Sequence, residues 1–499
     1  MNKHQFGILI FVLGLVLATL ACSLGGNAEP AQVPPIEEAT QPPAVSTEAP
    51  EEAPAEPAPA ESEPSGQPTT APAESQPTAA SAEPQPTAAP AADAPAPPPP
   101  ENVIAVDTVR GYRDHYGLLH IVGLVTNYTD RAVDSVEVEI TVFDADNNAL
   151  FSDVTSTGLS TLMPAETTPF AYQVSEDLAE ADHYTAAIVG QSVAETERVT
   201  IKLDGTMLTI DDAGDLHITG LLVNNTDTPV EISNISAATF RMDEELFTAE
   251  TIQAALVRHL DPGEDGPFRV TMTGPDEGTA NITDYQIYVD AETAAPAEPY
   301  DLVISENNTY YMDAYDYFHL VGEITNNSDL YLSVSLVSGI YDVDGNALDA
   351  ASTDLPTFSL GPGETMPYDF SYWGPLNDKT GLIDDAASYT VQWDPYWTWE
   401  SFSVHAKLTT QNDTNEVSST RVTFTGEILN NSGEEVTSAT VIVNLYDVET
   451  GELVATGYGG VYDTIPANGV ADYTAWIDIP AEFDFDSVHY TITVYGELP

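Results

Sequence analysis

The sequence predicts an all-β chain of four tandem two-sheet sandwiches, placed after an export signal and a disordered linker. Three observations carry this. Four sequence markers recur in the same order four times between residues 101 and 499. Within the copies, apolar and polar residues alternate with a period of two, which is the pattern of half-buried strands. At Pro100 the composition changes sharply, from Pro, Ala and Glu to Tyr, Val, Ile, Thr and Asp.

The chain opens with "MNKHQFGILIFVLGLVLATLAC". Lys3 and His4 precede an apolar run from Phe6 to Leu20, and Ala21 precedes the only cysteine, Cys22. A basic start, an apolar core and a small residue at the end are the parts of an export signal. A lone cysteine just after that core resembles the lipobox of bacterial lipoproteins. The resemblance implies that segment 1–21 is removed and that the Cys22 thiol carries a lipid, which anchors the chain outside the cytoplasm. With no second cysteine there is no disulfide, so each domain must stand on its core alone.

Segment 22–100 is built of Ala, Pro, Glu, Thr and Ser, as in "PQPTAAPAADAPAPPPP". It has too few large apolar residues to offset the entropy of ordering it, so disorder is expected. Proline and like charges favour extension, which suits a stalk that lifts domains away from a membrane.

Eighty acidic residues against 12 basic ones give a formal net charge of -68. Nucleic acid is excluded as a partner, because its binding relies on Lys and Arg displacing counterions from phosphates. Anionic lipid headgroups would repel such a surface. The remaining partners are the membrane through its anchor, an envelope glycan or a surface protein, and a monomer is expected.

The markers read as follows. "HIVGLVTNYTD", "HITGLLVNNTD", "HLVGEITNNSD" and "TFTGEILNNSG" place Gly123, Gly220, Gly322 and Gly426 about a hundred residues apart. About twenty residues later come "ITVFDADNNAL", "TFRMDEELF", "SGIYDVDGNAL" and "VNLYDVETGEL", with Asp144, Asp243, Asp342 and Asp447. About forty residues after the glycines stand Pro164, Pro262, Pro362 and Pro466, each in a turn before a strand that carries Phe170, Phe268, Tyr368 or Tyr473. Each copy then closes on a strand such as "HYTAAIV" or "SYTVQW". Four ordered markers repeated four times identify an array of one structural unit. In "VEVEITVFD", Val136, Val138, Ile140 and Val142 share one face. A glycine inside a strand pattern signals a bulge or a neighbour packed on bare backbone. The Asn-x-Ser/Thr sites at Asn127, Asn224, Asn326 and Asn430 read as Asn-rich turns rather than as glycosylation sites. Short, evenly spaced strands without helices point to a sandwich of immunoglobulin type.

The "VNLYD", "ITVFD" and "SGIYD" strands, set between a "G-x-x-x-N" strand and a "PGE"-type turn, resemble the FxLYD domain of exported bacterial and archaeal proteins. The resemblance covers roughly residues 101–499, with the second copy, "TFRMD", the most divergent. It implies four immunoglobulin-like modules near 101–197, 198–295, 296–400 and 401–499. It implies a non-catalytic surface role and supplies no ligand.

No nucleophile elbow, phosphate loop, dinucleotide fingerprint or HExxH is present in the sequence, so an enzyme is not expected. His120, His217 and His319 recur at one position, which marks a structural rim rather than a ligand set. No cofactor is expected, with one candidate metal. Asp144 and Asp146, and Asp342 and Asp344, put hard oxygens in short loops that suit either hairpin turns or calcium. The sharpest local feature is "WDPYWTWESF", with Trp393, Tyr396, Trp397 and Trp399, near "YYMDAYDYFH" and Trp373. These are more rings than one core holds. They either pack the junction of the third and fourth domains or form a platform on which a glycan stacks. Two functional readings follow: a spacing, adhesion or interaction lipoprotein, and a glycan-capture module.

Overall fold

The alternation read from "VEVEITVF" is realised in the strand Val133–Phe143, where Val136, Val138, Ile140 and Val142 are buried and Glu137 and Glu139 are exposed. The computed structural model describes residues 103–499 apart from 177, 195–197, 243, 253–254, 276–277, 280–281, 373, 378–380 and 481. Segment 1–21, read from the sequence as an export signal, Cys22, segment 22–100, read as a linker, Asp243 and Trp373 lie outside the described residues. The described chain is nearly all β, in several antiparallel sheets, with short 3-10 turns at Pro375–Asn377, Leu382–Asp385 and Phe485–Ser487. No helix among the described residues is long and apolar enough to cross a membrane.

In residues 104–193, Leu119–Asn127 lies between Ile104–Arg113 and Thr167–Val174 in one sheet. Val133–Phe143 pairs with Ala149–Ser156, Thr161–Leu162 and His183–Val193 in another. Ile121, Val138, Ile140, Leu162 and Phe170 form the core of this stretch. Residues 202–293 repeat the plan. Leu216–Val223 sits between Lys202–Ile210 and Asp265–Met272, and Val230–Arg241 pairs with Leu246–Ile252, His259–Leu260 and Ile282–Thr293. Residues 302–400 repeat it again, with the first strand broken into Leu302–Ile304 and Thr309–Met312, both on Phe318–Asn326. Its other sheet orders Ala347–Asp354, Ser335–Tyr341 and Ser388–Trp393, which leaves Ala347–Asp354 at an edge.

The marker glycines have one job in all four copies. Gly123 pairs directly with Phe170, Gly220 with Phe268, Gly322 with Tyr368 and Gly426 with Tyr473. A Cβ at any of them would collide with that aromatic ring. The ring covers bare backbone and fills the space a side chain would take.

The Asn-rich marker and the Pro-turn marker are tied together. Asn127, Asn224, Asn326 and Asn430 are fully buried. In the third copy, Asn326 Nδ2 donates to the carbonyls of Leu330 (2.7 Å) and Leu360 (2.8 Å). Its Oδ1 accepts from the N–H and hydroxyl of Ser328. Its own N–H donates to the Glu364 carbonyl, and its carbonyl accepts from Gly363. The same bonds recur around Asn127, Asn224 and Asn430. The Asn-x-Ser/Thr pattern is therefore a buried hydrogen-bond hub that joins three segments of each copy.

The residue that donates to the hub carbonyl has positive φ in every copy: Ala165 (63°), Gly263 (84°), Gly363 (69°) and Asn468 (59°). Glycine and asparagine tolerate this region, whereas alanine is strained there. Ala165→Gly is expected to stabilise the first copy by about 1 kcal/mol. Thermal unfolding of the variant checks this, and a lower midpoint would contradict it.

The fourth stretch departs from the plan of the other three by closing into a barrel. The 13-residue strand His405–Val417 pairs with both Arg421–Leu429 and Val488–Glu497, and Leu453–Val461 pairs with Val470–Asp478. The ring of strands is complete. Glycine makes the second seam feasible: a Cβ on Gly457 or Gly459 would collide with the carbonyl of Trp476 or Thr474.

Each stretch is locked to the next. Tyr112 bonds Thr248 (2.6 Å) above a small apolar cluster with Val122, Phe240 and Leu246. Arg269 pairs with the buried Asp349 (2.7 Å), and Thr219 donates to the Ala347 carbonyl. Tyr446 donates to Glu323 (2.8 Å), and His405 Nε2 lies 2.7 Å from Glu364.

Candidate functional site

The acidic loops are built as turns. Asp144 Oδ1 accepts the N–H groups of Asp146 and Asn148, and Oδ2 accepts the Asn148 amide. Asp342 does the same with Asp344 and Asn346. Asp146 and Asp344 each contribute a backbone N–H to the turn. The amide of Asn148 or Asn346, with the turn's N–H groups, holds the Asp144 and Asp342 carboxyls below the usual carboxylate range. A cation in these loops would have to displace those donors. Among the described residues, no group of three or more His, Cys, Asp or Glu is placed to hold a metal ion.

The repeated histidines close hairpins. His120 bonds Asp114 (2.9 Å) and stacks on Tyr112, and His217 bonds Asp211 (3.1 Å). Asp114, Asp211 and Asp313 each accept two turn N–H groups, as Asp144 does. The position is structural because one side chain joins a strand to its hairpin turn.

The aromatic segment divides. Trp393 is half-buried on the third core near Tyr300. Arg258 packs against the Tyr396–Trp397 pair, its guanidinium 4.1 Å from the Tyr396 ring centre and 5.6 Å from that of Trp397. This junction joins the third stretch to the second, not to the fourth. Trp399 stays about half exposed (49%) and Phe402 almost wholly so (97%).

A cleft of about 650 Å³ lies between the third and fourth stretches. Its third-stretch wall holds Tyr311, His319, Asp369 and the edge strand at Ser352–Asp354. Its fourth-stretch wall holds Tyr458, Trp476 and Asp478. Tyr458 and Trp476 are cross-strand partners on the seam that closes the barrel; Tyr458 is 61% exposed and Trp476 somewhat under half (45%). Directly opposite residues have Cβ atoms about 5 Å apart, so both side chains leave the same face of the seam. A second cavity of about 400 Å³ shares Ser352, Thr353 and Asp354 and holds Trp397 and Trp399. The edge strand therefore has aromatic rings on both sides.

Two of the cleft's three carboxylates, Asp478 and Asp369, have basic or imidazole partners. Arg421 grips Asp478 with two bonds (2.6 and 3.1 Å) and lies 5.5 Å from the Trp476 ring centre. His319 Nδ1 bonds Asp369 (2.9 Å), and its Nε2 lies 3.6 Å from Asp313. Tyr311 stacks on His319 at 4.7 Å and donates to the Asp478 carbonyl. Burial pushes the Tyr311 phenol well above its ordinary pKa, and Asp369, Asp313 and Asp478 add to this. Burial disfavours the His319 imidazolium, but the Asp369 bond and the charges of Asp369 and Asp313 outweigh it and raise its pKa. A raised folded value means stability that is full below the unfolded pKa of about 6.5 and lost as pH rises through the folded one. The melting-temperature gap between the wild type and His319→Gln is expected to be larger at pH 5.5 than at pH 9. An equal or reversed gap would contradict this.

Sequence reasoning singled out Trp393, Tyr396, Trp397 and Trp399 but not Tyr458 or Trp476. The signal for Trp476 was present. In "YTAWI", Tyr473, Ala475 and Ile477 point inward, so the alternation puts Trp476 on the outer face.

No family model matches this chain, and no curated protein does. Among solved structures, Escherichia coli alpha-2-macroglobulin activated by porcine elastase is similar at 12% identity over 78% of this chain, with a TM-score of 0.13. The chain spans 43% of that protein's length, and a likeness at that score carries no argument.

Proposed function

We infer that this protein is a non-catalytic, extracytoplasmic lipoprotein in which four tandem immunoglobulin-like modules form a stiff arm for spacing, adhesion or interaction. Cys22 carries the lipid, segment 22–100 is the stalk, and the modules lie near 101–197, 198–295, 296–400 and 401–499. The observation that carries this reading is the lock at each junction. Tyr112–Thr248, Arg269–Asp349 and Tyr446–Glu323 tie each stretch to the next through partly or wholly buried polar contacts. Jointed modules on flexible linkers would not need such contacts. The recurring glycine–aromatic pairs and Asn hubs support one unit used four times. The charge of -68 suits a soluble, exposed surface.

The test is metabolic labelling with radioactive palmitate in a bacterial host, with membrane fractionation of the wild type and Cys22→Ser. Label and membrane association in the wild type alone support the anchor. An unlabelled wild type in the soluble fraction would overturn it.

A further inference from the structure

We propose that the cleft between the third and fourth stretches binds a neutral oligosaccharide, with Tyr458 and Trp476 as its stacking platform. The sequence alone pointed to the 393–402 rings for such a role, and Tyr396 and Trp397 are instead engaged with Arg258.

Two exposed rings on adjacent strands are costly to leave in water unless something covers them. Their position is built. Gly457 and Gly459 bring the two strands together, so Tyr458 stands beside Trp476. Arg421, held by Asp478, lies against the Trp476 ring and restrains its orientation. An aromatic face carries partial negative charge, and the C–H face of a sugar ring is weakly positive, so the two stack.

The polar lining selects the ligand's charge. Acidic groups beside aromatic rings could also suggest a cation. Here Asp478 is paired with Arg421 and Asp369 is bonded to His319, so at two of the cleft's three carboxylates a cationic ligand would compete with contacts already made, and Asp354 is the third. Carboxylates paired in this way keep lone pairs that accept hydroxyl bonds. Ser352, Thr353, Ser371 and Thr456 add hydroxyls that donate and accept. That is the bonding capacity of a polyhydroxyl ligand without net charge.

The length of the site points to several sugar units. The 650 Å³ cleft lies within the range of small-ligand sites, about 300–1,000 Å³. A second cavity, lined in part by the same Ser352–Asp354 strand, holds Trp399. A chain of sugars would stack on Tyr458 and Trp476 at one end and reach Trp399 at the other.

The experiment is retention of the full chain on an array of neutral di- to hexasaccharides, followed by calorimetric titration of the tightest binder. A hexasaccharide is expected to bind, and Trp476→Ala or Tyr458→Ala to weaken it about tenfold without moving the melting temperature. Trp476→Phe and Tyr458→Phe keep a ring and should retain most of the affinity, which separates lost stacking from misfolding. Trp399→Ala should weaken the hexasaccharide and leave the disaccharide unchanged. No retention of any neutral sugar overturns the proposal, as does binding that both alanine variants leave intact. Binding of hexalysine in place of sugars would overturn it in favour of a cation cleft. None of these results depends on the lipid anchor.

Discussion

Asn326→Ala is expected to destabilise the third stretch by about 3 kcal/mol, among the largest effects of any single polar substitution in the chain. The side chain is fully buried, and its amide satisfies two carbonyls, of Leu330 and Leu360. Its Oδ1 also fixes the N–H and hydroxyl of Ser328. Alanine removes all four bonds, each worth about 0.5–1.5 kcal/mol net. Asn326→Asp is expected to be no better, because a carboxylate would face two carbonyl oxygens. Asn327→Ala is the control: its side chain is exposed, and the change should stay within about 0.5 kcal/mol. Denaturant unfolding followed by hydrogen exchange in Phe318–Asn326 reads both. Equal stability of the two alanine variants would remove the hub from the account.

Arg269→Ala is expected to cost about 3 kcal/mol and to loosen the second stretch from the third. Asp349 is completely buried, and Arg269 is its charge partner at 2.7 Å. Removing one member of a buried pair strands the other charge, at about 3–5 kcal/mol. Arg269 is itself a fifth exposed, so the lower end applies. The pair also crosses a junction, from Asp265–Met272 to Ala347–Asp354. Arg269→Ala combined with Asp349→Ala should recover part of the loss, because no uncompensated charge remains. A double variant as unstable as the sum of the singles would show that the two side chains do not interact.

What could be read in the sequence was local. The alternation of Val136 to Val142, the glycine that interrupts a strand pattern, and the Asp and Asn turns each depend on residues close together in one copy. Their reasons became clear only with the pairing. The glycines serve Phe170, Phe268, Tyr368 and Tyr473, and the Asn-x-Ser/Thr motif is a hub rather than a surface turn. The "DADNN" and "DVDGN" loops fit turn or calcium in sequence, and the bonds made by Asp144 and Asp342 are those of a turn. What could not be read was long-range. Closure of the fourth stretch needs its first strand, His405–Val417, to meet its last, Val488–Glu497. The packing of Arg258 on Tyr396 and Trp397 joins residues more than a hundred positions apart. Trp476 is the intermediate case, because its outward direction follows from the alternation but its pairing with Tyr458 does not.

The most direct test of the stiff arm is single-molecule energy transfer between dyes at Asn147 and Glu449, introduced as cysteines in a Cys22→Ser background. The account predicts one narrow distance population in the parent protein and a broadened one after Arg269→Ala. A broad or multiple distribution in the parent would contradict it and leave four modules that swing independently.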